Sequence, residues 1–277
     1  MARERWLVDG WELTDGLVRD VEYRAGLNTT PAVVGANAAV PNRIGELWRP
    51  KHHGPGKFTL AMWLAPAAGG WDGVEQAWED LLRALVRPHR LLTFERHTAT
   101  GQIRRCQGEV LSALAPTPLG QSGMRVSVEV TVPAGYWQAA APVTATSAPG
   151  TPVPQALALT AFADATAPMD NLAYRIDGPI TAPTVTDTTD GPGHDGDSFT
   201  YTGQIPAGQW LTVDSATWQL IGGGGFTPDA ARLSNTGPAF LRLAPGRPGS
   251  PPSVRLDGTN TAAGTRLTVT GRPTYLA

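Results

Sequence analysis

Five histidines, one cysteine, three glycine-rich stretches and one acidic loop are where this sequence could carry chemistry. His52, His53, His89, His97 and His194 form neither H-x-x-x-H nor H-E-x-x-H, so no pair is spaced to offer two imidazoles to a metal from one helix face. Cys106 stands alone, which excludes a cysteine zinc site and any internal disulfide. Gly120-Gln121-Ser122-Gly123-Met124 has the serine of a nucleophile elbow but lacks the closing glycine and the strand–turn–helix setting. Gly54-Pro55-Gly56-Lys57 echoes a phosphate loop, yet Phe58 stands where a hydroxyl residue is required. Gly191 to Gly196 matches G-x-G-x-x-G but opens no helix and belongs to no βαβ unit. The loop DTTDGPGHDGD, residues 187–197, offers Asp190, Asp195 and Asp197 as oxygen ligands for calcium, although Asp and Gly also occur there simply as turn formers. No cofactor and no catalytic residue is expected.

The elements that would have to position these groups are mostly strands. The one helical pattern is Trp71–Arg87, where Val74, Trp78, Leu81, Leu82 and Leu85 make an apolar stripe. Asp72 and Glu75 read as a capping box, and Pro88 ends the helix. A helix this short is marginal alone in water, so it must lie on an apolar surface. Candidates are Lys57–Ala65, Arg90–His97, Gln102–Leu114 and, above all, Met124–Val132, whose valines alternate strictly with polar residues. Asp9-Gly10 and Asp15-Gly16 read as hairpin turns. Between Leu27 and Gly56, prolines and glycines interrupt every pattern. A stretch of about thirty such residues is too long for a passive connector and reads as an interaction arm.

Residues 139–155, AAAPVTATSAPGTPVPQ, contain almost no large side chains and read as a linker between domains 1–138 and 156–277. Beyond it, short strand patterns recur at 156–162, 172–177, 198–202, 209–213, 217–221, 239–243, 253–256 and 266–270, with no helical stripe, which implies an antiparallel sandwich or jelly roll. Tyr174, Tyr201, Trp210, Trp218 and Phe226 either fill that sandwich or face a sugar. Tyr201 and Trp210 are the candidate carbohydrate contacts, and Trp218 shares the parity of Leu220.

At 277 residues the chain is long enough for two domains, and a hydrophobic fraction of 41% supports packed cores. A net charge of −2 argues against a nucleic-acid partner. The opening MARERWLVDG has no apolar h-region and no run reaches the roughly 18 apolar residues of a membrane span, so a soluble product made in the cytoplasm, without membrane insertion, is expected.

The order PNRIGELWRPKHHGPGKFTLAMWL, WDGVEQAWEDLLRALVRPHRLLTF, VSVEVTVPAGYWQ, then GQWLTVDSATWQLIGGGG, AFLRLAPGRPGSPPSVRLDG and RLTVTGRPTYL, resembles the distal tail protein family of long-tailed, non-contractile bacteriophages. The resemblance runs over nearly the whole chain. It implies a mainly β fold: an N-terminal tail-tube-like split β-barrel or sandwich with one α-helix, followed by a galectin-like or jelly-roll β-sandwich. It also implies a hexameric ring at the tail tip of the virion, assembled in the host cytoplasm. Such a ring joins the tail tube protein to a tail hub or tail-associated lysin-like protein, with a receptor-binding protein or host glycan as a further partner. Trp and Arg are typical interface anchors, so Arg43, Ile44, Leu47, Trp48 and Arg49 are the candidate ring contacts, unless Ile44, Leu47 and Trp48 cover their own sheet. The alternative reading is a carbohydrate-binding or glycan-cleaving protein acting through the second domain.

Overall fold

Met124–Val132 pairs residue for residue with Gly56–Leu64, from Met124 opposite Leu64 to Val132 opposite Gly56. Val126, Val128 and Val130 then share one buried face with Phe58, Leu60 and Met62. The period-two alternation requires this, because a slip of one residue would turn all the valines to water. In this computed structural model the described residues are 4–27, 29–39, 46–47, 52–65, 70–120, 123–148, 152–189, 197–236 and 241–276. The chain divides into two compact units, Met1–Ala140 with Tyr275–Ala277, and Ala141–Thr274.

In the first unit an antiparallel sheet runs in the order Trp11–Glu12, Arg5–Val8, Leu92–His97, Ile103–Val110, Met124–Val132, Gly56–Leu64, Arg19–Ala25. Asp9 and Gly10 both have positive φ, 48° and 82°, between the paired strands Arg5–Val8 and Trp11–Glu12, which is what a two-residue hairpin turn demands. The helix spans Trp71–Leu85 and buries Val74, Ala77, Leu81 and Leu85. Val74, Leu81 and Leu85 join Trp6, Phe58, Phe94, Val128 and Trp137 in one core. Trp78, expected on that stripe, is only partly buried at its margin.

Both helix ends differ from expectation. The N-cap is Gly70 at φ 65°, without a side-chain cap, and Asp72 sits inside the first turn rather than capping it. Trp71 Nε1 donates to Glu75 instead, at 2.8 Å. At the other end the helix stops at Leu85 because Arg87 precedes Pro88, and a residue before proline is pushed out of the helical region.

The second unit is two packed sheets. One runs Val143–Thr146, Arg266–Gly271, Ala173–Asp177, Trp210–Asp214, Leu220–Gly223; the other runs Gln155–Ala158, Ser253–Thr259, Ile180–Asp187, Ser198–Tyr201, Leu233–Thr236. Tyr174, Ile176, Leu211, Val213, Leu267 and Val269 face Leu157, Val185, Phe199, Val254 and Leu256 across the core. The expected mainly β fold with a sandwich second half stands.

Part of the expected linker is therefore sheet. Val143–Thr146 pairs with Arg266–Gly271, where Thr144 and Thr270 hydroxyls meet at 3.1 Å. Gln155 is buried and bonded to Ser147 Oγ, which in turn accepts from Leu267 N. A second difference is Ile180–Asp187, a long inner strand of its sheet that carries Pro183 mid-strand. Its register shifts between Thr181 and Thr184, and Ala182 has φ 50°. Proline cannot serve a regular ladder and is found at such bulges.

Candidate assembly surface

The arm leaves the sheet at Gly26, whose φ of +81° and whose approach to the Lys57 carbonyl, 2.5 Å from where a Cβ would stand, leave no room for a side chain. Its described residues form a two-stranded ribbon: Val33 and Val34 pair with His53 and His52, and Ala38 and Ala39 pair with Leu47 and Glu46. The ribbon is fastened at its base. Gly54 N donates to Ala32 O at 2.7 Å, and the His53 ring lies edge-on to Tyr136 at 5.7 Å. Further out, Val33 and Val34 are 60% and 43% exposed. A two-stranded ribbon is marginal in water by itself, so this one wants a surface to lie on. Of the candidate ring contacts, Leu47 lies in the ribbon, while Arg43, Ile44, Trp48 and Arg49 lie outside the described residues.

Another exposed surface of this unit is the outward helix face. Glu75, Gln76, Glu79 and Arg83 point away from the core, with Asp80 beside them. Arg83 donates to Asp80 at 3.0 Å and to Glu79 at 2.9 Å, and Gln76 donates to Asp80 at 3.1 Å. Such exposed pairs contribute about 0–1 kcal/mol each, so they are a surface pattern rather than a source of stability.

No protein-family model and no curated protein sequence matches the chain. Among solved structures, the Dit protein (gp 19.1) of phage SPP1, presented with its structure as a paradigm of the hub adsorption apparatus in phages infecting Gram-positive bacteria, is similar with a TM-score of 0.62. The match covers 99% of this chain and 100% of that one at 13% identity. Two phage p2 baseplate chains, from its activated conformation with Sr and with Ca, cover 98% of their own length at 8% identity, with TM-scores of 0.41 and 0.42.

The fold is that of the phage protein Dit.

On this Dit fold the other sequence candidates are dispersed. Tyr201, expected as a sugar contact, is buried against Phe226, and its hydroxyl accepts from Asp229 N at 3.3 Å. The correction has a simple cause: Tyr201 has the same strand parity as Phe199 and so faces the core. Trp210 does face outward, opposite in parity to buried Leu211. Its indole lies against Gly223, where an added Cβ would come within 2.2 Å, and the Arg175 guanidinium sits 4.6 Å from the ring centroid. Trp218, expected to share the core with Leu220, stands instead in a turn at φ 60° and is 48% exposed.

Asp190 and Asp195 lie outside the described residues, and Asp197 has its carboxyl pushed up by burial and by the neighbouring charge of Asp187. Among the described residues no cluster of three His, Cys, Asp or Glu side chains could hold a metal ion. Cys106 is buried, and burial pushes its thiol well above the ordinary value. His97 is engaged with Glu95 at 2.9 Å, His52 and His89 are separate on the surface, and His194 lies outside the described residues. Gly56 opens a strand and Lys57 Nζ donates to Glu129 at 3.0 Å, so the apparent phosphate loop is a strand entry.

Proposed function

We propose that this chain is a structural protein of the tail tip of a phage virion, without a catalytic step, that closes into a ring of six. The ring would link the tail tube protein to the tail hub and its host-adhesion apparatus. The observation that carries the reading is the likeness to SPP1 Dit over essentially the full length of both chains, covering both units. The fold by itself does not dictate function. A fastened ribbon with exposed Val33 and Val34 adds a physical reason for assembly, because a ring of identical subunits needs two different, complementary patches per copy.

In this reading the arm from Leu27 to Gly56 reaches an adjacent copy, with Arg43, Ile44, Leu47, Trp48 and Arg49 among its contacts. Replacing both anchors, Trp48→Ala with Arg49→Ala, tests it. The expected result is a chain that keeps its far-UV circular dichroism and unfolding midpoint but no longer forms rings. Undiminished rings would count against the arm.

A further inference from the structure

In the second unit, the sheet that carries Trp210–Asp214 turns one face to the core and the other to solvent, and strand register fixes what shares the outer face. Asp177 stands between Arg266 and Trp210, and Trp210 stands opposite Gly223. One row along, Arg175 stands between Thr268 and Thr212, and Thr212 stands opposite Ile221, which is 50% exposed. Arg266 Nε donates to one oxygen of Asp177 at 2.7 Å; Arg175 donates to the other from Nε and Nη2, at 3.1 and 2.9 Å. A guanidinium has five N–H donors, so both arginines keep donors to spare while one carboxylate holds them in place. Trp210 backs this cluster, its indole beside Arg175 and in the space that only a glycine at 223 leaves. At the end of the same hairpin stands Trp218, 48% exposed at a φ of 60° that bulky residues avoid. Its turn is pinned: Asp214 Oδ1 accepts from Ala216 N at 2.8 Å and Thr217 N at 3.1 Å, and Ser215 N donates to Leu172 O at 2.8 Å.

We propose that this hairpin face, with Trp218 as its aromatic surface and Arg175, Asp177 and Arg266 as its polar fork, binds a neutral glycan. A sugar ring has an apolar C–H face that lies on an aromatic side chain, and rim hydroxyls that pair with guanidinium and carboxylate groups. Here the polar groups fix one another before any ligand arrives, and the aromatic one stands on a pinned turn, which lowers the cost of binding. Formal charges on the face cancel, Arg175 and Arg266 against Asp177 and Asp214, so an acidic polymer gains nothing overall. A protein partner would want an apolar centre to its contact, whereas threonine hydroxyls fill the rest of this face, Thr144 paired with Thr270 and Thr146 with Thr268. Holding a tryptophan where glycine is the relaxed choice costs stability, and strain of that kind gathers at ligand sites. The glycan site does not depend on ring closure.

The test is affinity electrophoresis of the full-length chain through gels that contain a soluble mannan, an arabinogalactan or a mixed-linkage β-glucan. Polygalacturonate serves as the acidic control, and each gel is run at low and at high salt. The parent is expected to be retarded by at least one neutral polysaccharide, equally at both salt concentrations, because no net charge is involved. Trp218→Gly and Arg175→Ala should each weaken that retardation about tenfold or more. Trp218→Gly should do so with an unfolding midpoint close to the parent's, since glycine is at ease at this φ, so the loss is not one of folding. Gly223→Ala, which displaces the Trp210 indole and removes no polar group, should weaken retardation as well, with circular dichroism as the check on fold. No retardation by any neutral polysaccharide overturns the glycan and turns the Trp218 hairpin towards a protein partner. Retardation that survives Trp218→Gly intact, or that occurs with polygalacturonate alone and fades with salt, overturns it equally.

Discussion

The guanidinium of Arg104 lies 3.9 Å from the ring centroid of Tyr275, and Tyr275 is buried in the core of the first unit. The end of the chain is thus part of the N-terminal core: the Thr274–Tyr275 strand pairs with Trp137–Ala139. Burying an aromatic ring contributes about 3–5 kcal/mol, and a stacked cation adds about 0.5–2. Tyr275→Ala should therefore lower the stability of the first unit by about 3 kcal/mol, whereas Tyr275→Phe should stay within about 1 kcal/mol, because the ring is kept. Urea unfolding followed by tryptophan fluorescence checks both.

The two faces of the helix should answer differently. Leu81 is fully buried, so Leu81→Ala should cost about 2–5 kcal/mol, while Gln76→Ala on the outer face should stay within about 0.5 kcal/mol. The same denaturant titrations measure both, and a tolerant Leu81 would refute the packing described for the helix.

Asp15 predicts a pH dependence. Burial works against its charged form, but donation from the N–H groups of Arg19, Leu17 and Val18 and the nearby Arg19 charge outweigh that and hold the carboxyl below its ordinary value. A depressed folded-state value means the contribution is fully present above the unfolded-state value of about 3.9 and is lost as pH falls through the folded one. Asp15→Asn should lower stability by about 1–2 kcal/mol at neutral pH. The difference from the parent should shrink below about pH 4.

Gly108 should not accept a side chain. A Cβ there would stand 2.6 Å from Val130 Cγ1 and 3.2 Å from the Thr131 carbonyl, inside a well-packed sheet. Gly108→Ala should cost about 1–3 kcal/mol, read from the thermal unfolding midpoint.

Strict alternation made Met124–Val132 readable letter by letter, and the helix stripe located Trp71–Leu85 to within two residues at its C-terminal end. Such patterns are visible because burial on one face imposes a period. Where burial is not periodic the sequence was silent. Val143–Thr146 is an edge strand of small residues held by hydroxyl pairs, and it reads as linker. Ile180–Asp187 hides behind Pro183 at its bulge. The side of Trp218 was misjudged because parity applies only inside a strand, and its turn ends before Leu220. For the assembly surface, the arm was legible as an interruption of pattern, but its ribbon pairing was not, since Val33–Val34 and Ala38–Ala39 are too short to show a period.

The most direct measurement is the mass of the purified chain by light scattering across concentrations, with negative-stain images of the main peak. The account predicts particles of six copies with an open centre. A monomer at every concentration would contradict it.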